Sequence, residues 1–219
     1  MSGTGTVVIG AARASEPDTF TRALIEGAGL LVAVDGGLSA CLGAGRVPDV
    51  CIGDFDSAPV SAVERAENDG CRMIRHPAEK DASDLDLALD LARAEGWSGL
   101  TLTGILAGRL DHTLASLGAV ARNADLGIVV REPDVDVHPL AQHGPSAVAL
   151  STRPGEILSI FAIGGEATVT ASGVRYPLSA HPLSPCTSLG LSNVAVAPVQ
   201  HISVQSGRVL IIVPRAESR

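Results

Sequence analysis

A change of pattern near residue 132 constrains the fold more than any other feature. Before it, short β-branched runs alternate with Ala- and Leu-rich segments of helical length, as in an α/β domain with a parallel sheet. After it, β-branched runs follow one another without helical segments and are separated by Pro-, Gly- and Ser-rich turns. We therefore predict an α/β domain over residues 1–132 and an all-β sandwich or barrel over residues 133–219.

The same periodicities predict the individual elements. In the first domain, strands are expected at 6–9, 30–34, 50–52, 72–74, 100–103 and 127–130, and helices at 20–26, 59–68, 83–95 and 112–122. The segment 83–95 also shows strand-like alternation of leucines, but its length and alanines favour a helix, with Ser83 and Asp86 as a capping-box start. In the second domain, strands are expected at 135–137, 147–150, 157–163, 167–170, 199–204 and 209–213.

The composition excludes several kinds of partner. The 219 residues carry 16 Lys+Arg against 24 Asp+Glu, a net charge of −8, which argues against nucleic acid and anionic membranes as partners. No stretch approaches the ~20 continuous apolar residues that a bilayer span needs, and the first residues do not resemble a secretory leader. The four cysteines show no metal-like spacing and are interpreted as buried reduced thiols. A cytoplasmic protein that binds a small ligand or a protein partner is expected.

Two aspartates follow the third predicted strand. In Gly53-Asp54-Phe55-Asp56-Ser57, Asp54 and Asp56 are separated by one residue, so in extended geometry they point to the same side. Two converging oxygen donors suit Mg²⁺, which proteins commonly hold through one or two carboxylates together with substrate phosphates. A solvated acidic turn is an equally good interpretation of this motif taken alone.

A second cluster, Lys80-Asp81-Ala82-Ser83-Asp84, lies between a predicted strand and the start of a helix. Asp81 and Asp84 are spaced to lie near each other at the first helical turn, where Ser83 is suited to cap the helix. Capping does not explain Lys80, the single lysine of the chain. This lysine would either bind a phosphate oxygen or pair with Asp81 at the surface.

A third cluster, Gly108-Arg109-Leu110-Asp111-His112, follows the fifth predicted strand. Arg109 offers a planar fork for phosphate oxygens and Asp111 a hard ligand or a base, although the two side chains could also bind each other. His112 is interpreted as a packing or capping residue, since no second histidine is spaced to join it in a metal site. A fourth and weaker element, Asp35-Gly36-Gly37, indicates a tight turn after the second strand.

All four elements follow predicted strands of one α/β domain, which is where ligands of open α/β sheets bind. Their coincidence indicates nucleotide phosphates bound together with a divalent metal. The sequence has neither a P-loop nor a dinucleotide-binding motif, and it lacks the nucleophile elbow of serine hydrolases.

The order of the motifs resembles that of the thiamine pyrophosphokinase (thiamin diphosphokinase) family. The family's D-G-G, P-D, G-D-F-D-S, K-D-x-T-D and G-R-x-D-H series is matched in order by the elements above and by Pro48-Asp49, with Ser83 in place of the usual threonine. In the second domain, Gly173-Val174-Arg175-Tyr176-Pro177-Leu178 and Leu191-Ser192-Asn193 resemble the family's G-x-x-[WY]-P-L and S-N elements. The resemblance covers nearly the whole chain.

This resemblance implies a transferase with an α/β catalytic domain that binds ATP and Mg²⁺, and a C-terminal β-sandwich that binds thiamine. It also implies a homodimer with the thiamine site near the subunit interface. The thiamine hydroxyl would attack the β-phosphorus of ATP, giving thiamine diphosphate and AMP. No covalent intermediate is needed, because such transfers rest on positioning and charge neutralisation.

Residue roles follow from the matching positions. The catalytic set implied by the resemblance is Asp54, Asp56, Asp81, Asp84, Arg109 and Asp111. The ATP-binding set is Asp35, Gly36, Lys80, Ser83 and Arg109, and the metal ligands are Asp54, Asp56 and Asp84. Ser192 and Asn193 would contact thiamine. Which of Asp81, Asp84 and Asp111 accepts the hydroxyl proton stays open.

Two other functions fit the sequence. The second domain has only Phe161 and Tyr176 as aromatic residues, which leaves open a related pyrophosphokinase or nucleotidyltransferase that acts on another alcohol. A non-catalytic nucleotide-sensing protein with the same fold would bind metal and phosphate without turnover.

Overall fold

The chain divides into two compact units. In this computed structural model the described residues are 5–10, 16–56, 58–79, 81–106 and 108–215. One unit contains Met1–Ala119 with Arg131–Pro133, and the other contains Val120–Val130 with Asp134–Arg219. The chain changes unit after residues 119, 130 and 133. The domain boundary expected after residue 132 lies close to the last of these positions, and it stays a prediction.

The first unit is built on a parallel sheet with strand order β5-β1-β2-β3-β4. Its strands are β1 (Thr6–Ile9), β2 (Leu30–Val34), β3 (Val50–Gly53), β4 (Arg72–Arg75) and β5 (Thr101–Thr103). Its helices are α1 (Thr19–Gly27), α2 (Gly37–Gly43), α3 (Val60–Asn68), α4 (Asp84–Ala94) and α5 (Leu110–Arg122), the last of which ends within the second unit. Strand β6 (Val129–Arg131) is also divided between the units.

Continuous apolar runs form the inner strands of this sheet. Strands β1, β2 and β3 are buried almost throughout, as expected for parallel strands covered on both faces, whereas the edge strand β4 is exposed at both ends. The core of the unit includes Cys41, Cys51 and Cys71. Burial raises the pKa of Cys41 to about 12 and that of Cys71 to about 11, so both thiols stay protonated at neutral pH.

Helix α4 begins where the sequence predicts. Ser83 accepts a hydrogen bond from the backbone N–H of Asp86, and the Asp86 carboxylate accepts one from the backbone N–H of Ser83, which confirms the capping box. Leu85, Leu89 and Ala92 are buried along one face at helical spacing. The segment is therefore a helix and not the strand that its alternating leucines also allowed.

The tight turn expected at Asp35-Gly36-Gly37 leads directly into helix α2, which the sequence did not predict. The helix has only seven residues, and a glycine stands at each end, so its local pattern resembles a turn. A Cβ atom on Gly37 would overlap the carbonyl oxygen of Ile9. Glycine at this position therefore lets α2 begin directly against the end of β1.

The second unit is antiparallel and mainly β. It contains a 3₁₀ turn (Ala124–Leu126) and strands β7 (Val135–Ala141), β8 (Ala147–Ser151), β9 (Ile157–Ala162), β10 (Ala167–Ser172), β11 (Leu178–Leu183), β12 (Asn193–Val194), β13 (Val199–Ser206) and β14 (Arg208–Pro214). These strands pair in the orders β12-β9-β14-β7 and β11-β10-β13-β8. Apolar residues of both layers form one core, including Leu158, Ile160, Val169, Ile202 and Val209. The unit is thus a β-sandwich.

The predicted fold class, an α/β domain followed by an antiparallel β domain, is confirmed. Strands β11 and β12 were not predicted, since β11 is mostly exposed and contains a proline, and β12 has two residues. Cys186 is exposed, so the interpretation of all four cysteines as buried was wrong for this one. Within the described part of the chain, no helix has the length and apolar character that crossing a membrane requires.

Candidate functional site

The parallel sheet has a topological switch point between β1 and β5. From β1 the chain adds β2, β3 and β4 on one side and then β5 on the other. Ligands of open α/β sheets bind beyond the carboxyl ends of the strands at such a point. The carboxyl ends of β1 and β5 pack closely against each other. A Cβ atom on Gly10, which follows β1, would lie 2.6 Å from the carbonyl oxygen of Gly104, which follows β5.

Three carboxylates meet beyond the ends of β2 and β3. One oxygen from each of Asp35, Asp54 and Asp56 lies within 4.8 Å of the others. We call these residues the acidic cluster. Asp35 follows β2 with a positive φ of 47°, and Asp54 and Asp56 follow β3. Asp35 and Asp54 are half-buried and Asp56 is exposed, so the cluster opens to solvent on one side.

Repulsion between the carboxylates of the acidic cluster acts on Asp56. The charge of Asp54 raises the pKa of Asp56, and the charges of Asp35 and Asp84 raise it further. The backbone N–H of Asp56 donates to the Asp54 carboxylate over 3.1 Å, which holds the two residues in one turn. Three oxygen donors in this arrangement match the ligands that Mg²⁺ prefers, and a cation there would relieve the repulsion.

Phe55 holds the turn between the two aspartates. Its φ is 62°, a left-handed conformation that is uncommon for a bulky residue and costs on the order of 1–3 kcal/mol. Its side chain is buried, and the Arg75 guanidinium stacks on the ring at 5.2 Å. Arg75 is in turn bound to Glu67 over 2.6 Å. Packing of Phe55 thus supports a strained backbone at the site.

The predicted metal ligands Asp54, Asp56 and Asp84 are only partly brought together. Asp84 lies in the first turn of α4, half-buried, and acts on Asp56 through its charge, but it is not a member of the acidic cluster. Asp35, which the sequence predicted to bind ATP, is the third member of the acidic cluster beside Asp54 and Asp56. Asp81 is exposed, and Lys80 lies outside the described residues, as does Ser57.

Arg109 and Asp111 form a two-pronged ion pair. The Arg109 Nε and Nη2 atoms donate to the two Asp111 oxygens over 3.1 and 2.6 Å. This pairing lowers the pKa of Asp111 from 3.8 to about 2. Both side chains are exposed, so a phosphate could compete with Asp111 for the guanidinium. His112 is exposed at the same helix start and donates its backbone N–H to Asp111.

Glu132 was missed by the sequence reasoning. It is buried directly after β6 and accepts hydrogen bonds from the backbone N–H groups of Gly104, Ile105 and Leu106, in the loop that follows β5. The available signal was an acidic residue next to a buried apolar strand, since such a residue needs internal partners.

The predicted thiamine-contacting residues lie in the β-sandwich unit. Asn193 is buried, and its side-chain oxygen accepts from the backbone N–H groups of Tyr176 and Val194 while its amide donates to the carbonyl oxygen of Tyr176. Ser192 is exposed with a φ of 56°, and its backbone N–H donates to Ser159. Tyr176 is 64% exposed. Asn193 therefore fixes the backbone of a surface formed by Ser192 and Tyr176.

Fold and site together define a class: a two-domain α/β enzyme with an acidic site at the carboxyl edge of a parallel sheet and a β-sandwich after it in the chain. Residues 21–130 match the family model "Thiamin pyrophosphokinase, catalytic domain", and residues 147–209 match "Thiamin pyrophosphokinase, vitamin B1 binding domain". The chain belongs to the thiamin pyrophosphokinase family, which makes it a transferase.

Individual relatives agree with this assignment. The thiamine pyrophosphokinase of Bacillus subtilis is 28% identical over 185 residues, which cover 84% of this chain and 86% of that protein. The crystal structure of the thiamin pyrophosphokinase from Geobacillus thermodenitrificans is 26% identical with a TM-score of 0.78, over 98% of this chain and 99% of that one. A thiamin pyrophosphokinase family protein from Enterococcus faecalis shares the fold at 20% identity, with a TM-score of 0.80 over 98% and 100% of the two chains.

Proposed function

We propose that this protein transfers the pyrophosphoryl group of ATP to the hydroxyl of thiamine and releases AMP. The observation that carries the proposal is the acidic cluster, which lies at the carboxyl edge of the parallel sheet, beside its switch point, and this is the edge at which open α/β sheets bind ligands. The family assignment supports thiamine as the acceptor alcohol.

The acidic cluster fits a Mg²⁺ ion by the chemistry of its donors. Asp35, Asp54 and Asp56 would hold the ion, and Asp84 is close enough to act on the cluster through its charge. A bound Mg²⁺ would neutralise phosphate charge and orient the triphosphate. The raised pKa of Asp56 supports this assignment, because carboxylates crowded in this way are balanced by a divalent cation.

Arg109 would bind phosphate oxygens after the fifth strand. Strands β5 and β2 are separated only by β1, so their ends lie about 10 Å apart, which a nucleoside triphosphate can bridge. Binding would exchange Asp111 for phosphate as the partner of Arg109. The ATP-binding roles of Gly36, Lys80 and Ser83 stay predictions.

The base that accepts the hydroxyl proton would be one of Asp81, Asp84 and Asp111. While Arg109 holds the pKa of Asp111 at about 2, this carboxylate is a poor proton acceptor at neutral pH. Phosphate that displaces Asp111 from Arg109 would remove this effect, so all three aspartates stay candidates. In the second unit, Ser192 and the exposed ring of Tyr176 would contact thiamine.

We further propose a cytoplasmic homodimer. Three exposed apolar residues lie within four residues of Ser192 in the sequence, namely Leu189, Leu191 and Val196. Such grouped apolar residues are typical of interaction surfaces. The buried, protonated thiols of Cys41 and Cys71 agree with a reducing compartment.

The test is thiamine-dependent AMP formation by the purified protein with ATP and MgCl₂. The Asp54→Asn variant should lose on the order of 100-fold in turnover. As a control, Asp69→Asn changes an exposed carboxylate that pairs with Arg65 at the end of α3, and it should leave turnover unchanged. AMP release that does not depend on thiamine, or a clear preference for another alcohol, would reject thiamine as the substrate. A total lack of turnover would favour a non-catalytic protein.

A further inference from the structure

The carboxyl group of Glu132 is buried and is bound by a loop. The residue is 1% exposed. Its Oε1 atom accepts from the backbone N–H groups of Ile105 and Leu106 over 2.9 and 3.1 Å, and its Oε2 atom accepts from the N–H of Gly104 over 3.1 Å. The Thr103 hydroxyl adds a fourth contact at 3.3 Å. Successive N–H groups that converge in this way commonly bind an external anion, and here they bind a side chain of the same unit.

This loop is also fixed from the opposite direction. Gly104 has a φ of 70°, and a Cβ atom on it would lie 2.9 Å from the carbonyl oxygen of Gly10 at the end of β1. Arg109 and Asp111 follow Leu106 by three and five residues in the sequence and are exposed at the start of α5. A loop held on both sides shortly before α5 is suited to fix where these two side chains lie.

We propose that Glu132 is a positioning residue for the transfer reaction, which holds the 104–106 loop so that Arg109 meets the phosphates of ATP. This inference rests on the proposed function. It has two consequences. The loop takes its shape before the nucleotide binds, and its three N–H groups serve Glu132 and not a phosphate.

Both consequences are tested by hydrogen exchange of the wild-type protein, with and without ATP and Mg²⁺. The N–H groups of Gly104, Ile105 and Leu106 should already exchange at least ~100-fold more slowly than in an unstructured peptide, and the nucleotide should change these rates less than about threefold. Fast exchange in the free protein, or protection that develops only with ATP, would overturn the proposal. This measurement needs no variant and so does not depend on the folding of one.

The positioning role itself is tested with Glu132→Gln. Glutamine has the same shape but only one acceptor oxygen, and its NH₂ group would face N–H donors. We expect kcat/KM for ATP to fall at least ~10-fold, since small displacements of positioning groups are costly, while KM for thiamine changes less than about twofold. Thr103→Val is the matched control: it removes only the 3.3 Å hydroxyl contact and should change kcat/KM less than about threefold.

The outcomes separate this proposal from the proposed function. An active wild type together with a folded Glu132→Gln variant of unchanged kinetics would overturn the role of Glu132 alone. A rise in KM for thiamine as large as the fall in kcat/KM for ATP would also overturn the role of Glu132, because it would indicate a general structural effect. A wild type without thiamine-dependent AMP release would reject the proposed function and, with it, the role of Glu132 in the transfer.

Discussion

The backbone of Gly53 passes so close to Asp35 that a Cβ atom on residue 53 would lie 3.1 Å from both the Cα and Cβ atoms of Asp35. Gly53 also has a φ of 154°, which side chains rarely allow. Both the contact and the conformation require glycine at the end of β3. The close approach brings Asp35 to the pair formed by Asp54 and Asp56, so this glycine is a condition for the acidic cluster.

Replacing Gly53 with alanine should lower both stability and turnover. The free energy of unfolding should fall by about 1–3 kcal/mol, since the new methyl group strains the backbone and presses on Asp35. Gly45→Ala is the control: Gly45 has a φ of 80°, but a Cβ atom on it would meet no described atom within 4 Å, so this variant tests strain without contact. Denaturant unfolding and AMP assays measure both effects. Full activity of Gly53→Ala, with a stability loss equal to that of Gly45→Ala, would contradict the prediction.

Asp35→Asn should weaken the binding of Mg²⁺ that activity requires. If Asp35 is one of three carboxylates around the ion, its loss should raise the Mg²⁺ concentration for half-maximal activity about 10-fold. The measurement is a Mg²⁺ titration at saturating ATP and thiamine. Asp69→Asn, which removes one exposed carboxylate outside the acidic cluster, should match the wild type. An unchanged Mg²⁺ requirement in Asp35→Asn would remove Asp35 from the metal set.

The inner strands could be predicted from the sequence because their burial is continuous, whereas the two strands that were not predicted are mostly exposed or only two residues long. The runs at 6–9 and 30–34 coincide with β1 and β2 because parallel inner strands are apolar along their length. Strand β11 has one buried residue out of six, so its sequence carries no alternation. Helix α2 is short, and its packing against β1 depends on a glycine contact that no local pattern reveals.

The site could be predicted only in part. Acidic residues directly after a predicted strand can be recognised in the sequence, whereas the pairing register between distant strands cannot. Asp54 and Asp56 are neighbours in sequence, whereas Asp35 joins them only because Val34 pairs with Ile52 across two strands. Asp49 matches a family motif, yet it has a structural contact: it accepts from the backbone N–H of Leu31 over 2.7 Å. The partners of Glu132 are backbone N–H groups, which every sequence offers.

The ion pair of Arg109 and Asp111 should contribute stability that is lost in acid. Because the folded-state pKa of Asp111 lies below the ordinary value of 3.8, the contribution is full above that value and disappears as the pH falls through about 2. The thermal unfolding midpoints of the wild type and of Asp111→Asn should therefore differ at pH 6 and converge between pH 4 and pH 2. The difference should be small and should shrink in high salt, since both side chains are exposed. A difference between the two unfolding midpoints that stays constant down to pH 2 would contradict a stabilising ion pair between Arg109 and Asp111.

Asn193→Asp should affect thiamine more than ATP. Aspartate keeps the acceptors for the N–H groups of Tyr176 and Val194 but places an oxygen against the carbonyl oxygen of Tyr176, where Asn193 donates over 2.8 Å. The free energy of unfolding should fall by about 1–3 kcal/mol, because a buried hydrogen bond is lost. The surface of Ser192 and Tyr176 should shift, which would raise KM for thiamine severalfold while KM for ATP stays within about twofold.

Gln200→Glu is the matched control for Asn193→Asp. Gln200 is also buried in the second unit, and its amide donates to the carbonyl oxygen of Ala197 over 2.6 Å. The same amide-to-acid change there should cost similar stability, because it also sets an oxygen against a carbonyl group, yet it should leave KM for thiamine unchanged. If both variants raise KM for thiamine equally, the effect belongs to the stability of the sandwich. A rise confined to Asn193→Asp would instead assign Asn193 the task of holding Tyr176 and Ser192 in place for the substrate.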